Sequence, residues 1–313
     1  MAQETHPGPK HVLVTGGTGF IGRHLIRGLL ADGIKVTVLS RDVPRATRLL
    51  GAAVRVTGSL ERLPDDCGID AVVNLAGAPI FGPPWTQGRR QRLLESRLGT
   101  TDAVVALCRR LQTPRVLVSA SAIGYYGISD GSADETTPAQ DIFQSRLCHD
   151  WEASAIRAED AGLRVARLRF GIVLGRDGGA LPPLALPLRL GFGTILGDGR
   201  QGMPWLHIDD AVGLIRLCLE DSRLSGAVNA VAPAQTTHAE FMTTLGRVLH
   251  RPVWLRVPAF LLRSLLGEMA QLFVDGRPVL PTVALGAGYR YRFATLESAF
   301  TDLFGRQASD SNR

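Results

Sequence analysis

The sequence predicts an α/β protein: a Rossmann-like, doubly wound parallel sheet with a smaller C-terminal α/β lobe. Three observations predict it. An apolar strand at residues 12–15 runs into a turn with glycines at 16, 19 and 22, and an amphipathic helix follows. Strand and helix patterns then alternate as far as residue 170, which implies parallel strands joined by helical crossovers. Beyond residue 173 the texture changes to a stretch rich in glycine, proline and leucine.

The first turn is shaped for a dinucleotide pyrophosphate. Backbone N–H groups at a helix N-terminus attract phosphate, and glycine permits the close approach. Gly16 takes the tight turn, Gly19 leaves room for the phosphates, and Gly22 lets the helix pack closely. Thr18, Phe20 and Ile21 complete that cofactor-binding segment. The helix runs through residues 23–30 and stops near Asp32 and Gly33. Strand two, residues 35–39, ends in Ser40 and Arg41. An acid there would hold a ribose 2′-hydroxyl and repel a 2′-phosphate. A guanidinium instead matches phosphate, and Ser40 adds a hydroxyl, so NADP(H) is expected over NAD(H). Arg45 and Arg48 strengthen the positive field, and Asp42 is the nearest acid.

The next strands are expected at residues 54–58, 71–77, 115–119 and 164–170, with helices at 89–111 and 146–161. Ligands bind at the carboxyl ends of such strands. Those ends carry Leu75, Ala76 and Gly77, then Ser119 to Ser121, then Phe170 and Gly171, all on one rim. Ala76 and Gly77 are small enough for a cofactor to lie over the strand. Further on, residues 205–208 read as a strand, with Asp209 capping a helix at 210–219. A strand at 228–231 returns to the sheet. Thr237 caps a helix to residue 249, residues 253–257 form a strand, Pro258 opens a helix, and a last helix follows Thr295. Trp205 and His207 read as packing at the lobe junction. The expected organisation is a nucleotide-binding domain at 11–173 with a return segment at 206–232. The smaller lobe takes 174–205 and 233–305, and tails at 1–10 and 306–313 are expected to be disordered.

At 313 residues and 45% hydrophobic content the chain can bury a substantial core. It has no run of about 18 apolar residues, so no transmembrane helix is expected. Residues 1–10 lack the apolar stretch of a signal peptide. Cys67, Cys108, Cys148 and Cys218 have no metal spacing and read as reduced thiols, so the expected site is cytoplasmic and metal-free. The net charge of +6 comes from dispersed arginines with no basic, aromatic-interleaved helix. Nucleic acid is therefore not expected as a partner, nor is a membrane, given the lack of a spanning run, and a small-molecule substrate is. Nothing in the pattern specifies an oligomeric state.

These residues resemble the extended short-chain dehydrogenase/reductase superfamily over residues 12 to about 231. The resemblance rests on the turn from Thr15 to Gly22, on Asn74-Leu75-Ala76-Gly77 and on Ser119 to Gly127. More narrowly, the chain is similar to an atypical subgroup labelled "epimerase family" NAD(P)-binding proteins, some of them called cell-division-inhibitor-like. That likeness lies in Glu95 to Thr100, Leu147 to Glu152 and Trp205 to Asp209, and in a tail domain from Val257 to Phe300. It implies that Ser40, Arg41, Leu75, Ala76 and Arg97 contact NADP, with Cys148 close by. Arg97, on the helix after strand four, is expected near the adenosine end.

The superfamily's Tyr-x-x-x-Lys pair is missing. Its tyrosine position falls on Gln144 and its lysine position on Cys148. A phenol with a pKa of about 10 needs a lysine cation to work near neutrality. The only lysines are Lys10 and Lys35, and the tyrosines are Tyr125, Tyr126, Tyr289 and Tyr291. Ser121 matches the superfamily's catalytic serine. It is expected to polarise a substrate oxygen, aided by Tyr125 or an ordered water. The expected function is an NADP(H)-dependent oxidoreductase acting on a small carbonyl or hydroxy compound. The alternatives are a nucleotide-sugar epimerase and an NADP(H)-binding sensor without turnover.

Overall fold

The computed structural model describes residues 8–305. The elements in chain order are β1 (His11–Thr15), α1 (Phe20–Ala31), β2 (Lys35–Leu39), α2 (Val43–Leu50), β3 (Arg55–Thr57), β4 (Ala71–Asn74), α3 (Gln87–Leu111), β5 (Val116–Ala122), α4 (Phe143–Ile156), β6 (Arg164–Phe170), β7 (Ile172–Gly175), β8 (Gly178–Gly179), α5 (Leu181–Arg189), β9 (Gly193–Leu196), β10 (Trp205–His207), α6 (Ile208–Glu220), β11 (Gly226–Ala230), α7 (His238–Leu249), β12 (Val253–Val257), α8 (Ala259–Leu266), α9 (Gln271–Val274), α10 (Thr282–Gly286) and α11 (Leu296–Gly305). A short 3-10 turn, Ile123–Tyr126, links β5 to the loop before α4.

Seven parallel strands form the main sheet in the order β11-β6-β5-β4-β1-β2-β3. Its strands are apolar on both faces because helices cover both. Val12, Val14, Val73 and Val118 meet α1 and α6 through Leu25, Ile26, Leu29, Leu214 and Ile215. Leu13, Val72 and Leu117 point the other way, to Val104, Leu107 and Cys108 of α3. A smaller core joins α5, α7 and α11 around Trp205, Phe241 and Phe300. Residues near 279 then run back along the loop before α4. Ala133 bridges to Val279, and Arg277 donates to the carbonyls of Tyr126, Gly131 and Ser132. The C-terminal unit thus holds the loop that leaves the C-terminal end of β5.

Several expectations are corrected. Residues 43–50 form a helix, α2, because Asp42 caps it by accepting the Arg45 N–H at 3.0 Å, with a proline in the first turn. Strand β4 stops at Asn74, where β1 turns away into the glycine loop. The helix expected at 146–161 runs three residues earlier, from Phe143, and ends at Ile156. Strand β10 pairs with β7 in a separate three-stranded sheet, so only β11 returns to the main one. The cap of α6 is His207, whose Nδ1 accepts the Asp209 N–H at 3.1 Å. Asp209 pairs with Arg292 instead. Of the tail expected at 1–10, residues 8–10 are described. Lys10 is fixed there, its N–H on the Asp70 carboxylate and its carbonyl on the Lys35 N–H. The remainder, and the tail expected at 306–313, lie outside the described residues.

One buried group makes the fold sensitive to acid. His238, at the start of α7, is buried, and burial pushes its imidazole down to about 4. The folded state holds it neutral, while the unfolded chain protonates it below 6.5. Its contribution is therefore full above 6.5 and is lost as pH falls toward 4. Between pH 7 and pH 5 the expected loss from this group is about 2 kcal/mol. Urea midpoints at the two pH values check this, and His238→Leu is expected to shrink the difference by about 2 kcal/mol.

Candidate cofactor and active site

The glycine turn is built as a cradle. Gly16 has φ +68°, and a Cβ there would lie 2.6 Å from the Leu75 carbonyl oxygen. A Cβ on Gly22 would lie 2.4 Å from the Gly16 oxygen, so Gly22 packs on the turn rather than on the strand. Gly19 is exposed and forms the N-cap of α1 with no side-chain hydrogen bond, and the first turn carries no acid. The N–H groups of Phe20 and Ile21 therefore have no side-chain partner from the cap, beside exposed Thr18. The Phe20 ring turns away, under Gly175, Gly178 and Gly179 of the β7–β8 hairpin, where any Cβ would collide with it. Phe20 can therefore offer a ligand only its backbone.

At the end of β2, Ser40 donates to the Asp42 carbonyl at 3.1 Å. Arg41 is exposed and forms no ion pair among the described residues. Asp42, the acid nearest to it, is committed to capping α2. The one nearby negative charge thus faces the helix, and the guanidinium is left without a partner.

The floor of the rim is a buried polar node. Asn74 accepts the Thr15 hydroxyl at 2.6 Å and donates to Thr101 at 2.8 Å and to Ser119 at 3.3 Å. The Trp151 indole also donates to Thr101, at 3.1 Å. This node fixes Leu75 and Ala76, since the Ala76 N–H donates to Thr15 Oγ1 at 3.2 Å. Ser119, expected as a cofactor contact, is 1% exposed and engaged by Asn74, so its hydroxyl serves the floor.

Arg97 also lies away from its expected place. It donates to the carbonyls of Leu93 and Ala78, and its guanidinium stacks 5.0 Å from the Trp151 ring centroid. A Cβ on Gly77 would lie 3.4 Å from it. It therefore sits between the end of β4 and α4. Burial lowers its pKa, and nearby Cys148 acts in the opposite direction.

Along one face of α4 stand Gln144, Cys148 and Glu152, one helical turn apart. Gln144 is buried and its Oε1 has no partner among the described residues. Cys148 lies beside Gly124, and burial, then the Glu152 charge, push its thiol up to about 12. It is a thiol at any physiological pH, not a nucleophile. Glu152 holds a buried bidentate pair with Arg169 of β6, at 2.7 and 2.8 Å, with Arg167 at 3.3 Å. Burial works against the Arg169 charge, but the Glu152 hydrogen bonds and charge outweigh it and raise its pKa. Arg169 also donates to the Tyr126 hydroxyl at 2.9 Å, and Tyr126 donates to Asn229 at 2.6 Å. Burial pushes the Tyr126 phenol up to about 12 despite that cation.

This network fixes the polarity of Ser121. Its hydroxyl donates to Glu152 Oε1 at 2.7 Å. A carboxylate held by two guanidiniums is acceptor-only, so the single Ser121 proton points at it. Toward a ligand Ser121 can only accept. Polarising a carbonyl needs a donor, so that expected role is corrected. Tyr125 is different. Its half-buried ring lies 3.5 Å under the Arg169 guanidinium, and its hydroxyl has no partner among the described residues. Sequence reasoning missed Glu152 and Arg169 as site residues. The available signal was a carboxylate one helical turn beyond Cys148 and an arginine at the end of a buried strand. His149 is exposed beside Asp150.

Comparison with known proteins places this rim in context. A family model described as the NAD dependent epimerase/dehydratase family matches residues 12–230, and a domain of unknown function (DUF1731) matches residues 257–303. The epimerase family protein YfhF of Bacillus subtilis is 38% identical over 300 residues, covering 94% of this chain and 97% of its own. The crystal structure of human epimerase family protein SDR39U1 (isoform 2) with NADPH gives a TM-score of 0.84 at 36% identity, over 94% of this chain and 98% of that one. A nucleoside-diphosphate sugar epimerase from Corynebacterium glutamicum gives 0.76 at 26% identity, over 97% of this chain and 61% of that one.

The buried pair and its serine should differ sharply in cost when removed. Glu152→Gln leaves Arg169 buried without its counter-charge and is expected to lose about 3–5 kcal/mol. Ser121→Ala removes one hydrogen bond and is expected to lose about 1 kcal/mol. Chemical denaturation of the two variants checks the ratio.

Proposed function

The chain belongs to the NAD dependent epimerase/dehydratase family, and from that premise we propose that it binds NADP(H) along this rim and acts as an oxidoreductase on a small carbonyl or hydroxy compound. The observation that carries the cofactor choice is the unpaired Arg41 beside an acid turned away into a helix cap. The uncapped start of α1 and the glycine cradle suit a pyrophosphate. The likeness to a relative crystallised with NADPH supports the same reading.

NADP(H), once bound, supplies or accepts a hydride. The chain's own residues do the rest. The Asn74 node holds Leu75 and Ala76 in place at the rim. Ser121 accepts a hydrogen bond from the ligand, and Glu152 keeps it in that orientation. Tyr125 is the phenol left free to give or take a proton at the substrate oxygen, with the Arg169 guanidinium stacked on its ring.

An epimerase is less well supported. Epimerisation by transient oxidation needs one group that takes and returns a proton. The helix positions that would carry that relay hold Gln144, which does not titrate, and Cys148, pushed up to about 12, so Tyr125 alone would have to take the proton and return it, from outside that helix. A sensor without turnover has one specific observation in its favour, namely that Ser121, Tyr126 and Cys148 all have their protons held by the fold.

Titration calorimetry is expected to show NADPH bound more tightly than NADH. Arg41→Asp is expected to weaken NADPH roughly tenfold to a hundredfold and to leave NADH nearly unchanged. Equal losses remove the phosphate-binding role of Arg41, and no heat with NADPH removes the whole reading. NADPH oxidation against aldehydes, ketones and quinones tests the chemistry. Tyr125→Phe should lower turnover about a hundredfold or more, and Ser121→Ala far less. The opposite order overturns the assignment, and tight NADPH binding with no turnover selects the sensor.

A further inference from the structure

The smaller lobe carries an apolar face that no described residue covers. Leu186 and Leu190 at the end of α5, Phe192 beyond them, and Trp254 on β12 are all exposed. They form one patch. The Trp254 indole donates to the Gly191 carbonyl at 2.9 Å, between Leu190 and Phe192. Arg251 donates to the Arg189 carbonyl at 3.3 Å. Helix α8 continues from β12 after Pro258, and none of its residues is buried. Its Phe260, Leu261 and Leu265 fall within an arc of about 140° at helical pitch. These seven side chains are between 49% and 77% exposed. Scattered exposed leucines are ordinary, but the contiguous set of Leu186, Leu190, Phe192 and Trp254 marks a contact.

Charge selects what makes that contact. Residues 178–197 and 241–267 contain no aspartate or glutamate. Arg189, Arg247, Arg251 and Arg256 are exposed within them and form no ion pair among the described residues. A second copy seated about a two-fold axis would set these arginines against their own equivalents. An anionic bilayer meets both halves of the pattern: its phosphates take the guanidiniums, and the acyl boundary takes the leucine, phenylalanine and tryptophan side chains.

We propose that this face, built from α5, residues 190–192 and β12, docks the protein on an anionic phospholipid bilayer surface. No described helix is long and apolar enough to cross a membrane. The expectation of no membrane partner rested on the lack of a spanning run, and an interfacial contact requires none.

Trp254 reports the contact directly, because Trp85, Trp151 and Trp205 are buried. The full-length protein is sedimented with phosphatidylcholine vesicles and with vesicles that also contain phosphatidylglycerol. Binding is expected to be at least about tenfold stronger to the anionic vesicles, to fall with added salt, and to bring a blue shift and quenching by brominated acyl chains. The Arg251→Glu, Arg256→Glu double variant is expected to lose about tenfold or more, at roughly fivefold per cation. Leu190→Ser with Phe192→Ser is expected to keep the melting temperature and NADPH binding of the parent and to lose the quenching. Equal binding to both vesicle types, or binding without Trp254 quenching, overturns the proposal. So does micromolar dimerisation in sedimentation velocity that the double serine variant abolishes, since a second copy would then own the face.

Discussion

The buried Glu152–Arg169 pair is the interaction on which the functional corner depends. It joins α4 to β6 at the point where β5 ends, and Ser121, Tyr125, Tyr126 and Arg167 are all arranged around its charges. Two ions taken out of water cost several kcal/mol each, and only good geometry with further hydrogen bonds returns that energy. Here the pair is bidentate and every neighbour bonds to the charged form. Such a pair adds little net stability over an apolar substitute. Its effect is to allow one arrangement of side chains, because either ion left alone would be very unfavourable.

That constraint also explains why the chemistry differs from what the missing tyrosine and lysine alone suggest. A serine hydroxyl has one proton, and its direction is decided by the strongest acceptor in reach. In this fold the acceptor is a carboxylate from α4. Ser121 keeps its position on the rim yet changes from donor to acceptor. The same ion pair stacks a guanidinium on the Tyr125 ring and fixes where that ring lies. The acceptor polarity of Ser121 and the placement of the Tyr125 ring are thus two consequences of one buried charge pair.

Features set by neighbours in sequence were legible from the chain. Gly16, Gly19 and Gly22 follow a strand directly, and Arg41 follows another, so local order was enough to place them at strand ends. The seven strands of the main sheet were read near their places because parallel strands are apolar on both faces. Residues whose role depends on distant partners were not legible. Glu152 and Arg169 are 17 residues apart and each resembles an ordinary surface charge. Only the register that puts Ser121 opposite Arg169, with α4 packed above, reveals them as buried. Asp42 was read as an acid competing with Arg41, but its carboxylate reaches a backbone N–H three residues on. Arg97 was placed by its position after strand four, whereas its long side chain reaches the Trp151 ring.

The two sequence units are also less separate than their order suggests. Arg277 and Val279 belong to the C-terminal unit, yet they hold residues 126–133, the segment that follows Tyr125. Asn229 of β11 receives the Tyr126 hydroxyl and donates to the Leu280 carbonyl at 2.8 Å. The loop carrying the free phenol is therefore clamped between the main sheet and the last sixty or so residues of the lobe. A loop held by several carbonyl–guanidinium bonds and a strand bridge loses most of its conformational freedom before any ligand arrives, and ordering it then costs the binding step little. The tail domain contributes to the site by fixing the backbone that follows Tyr125.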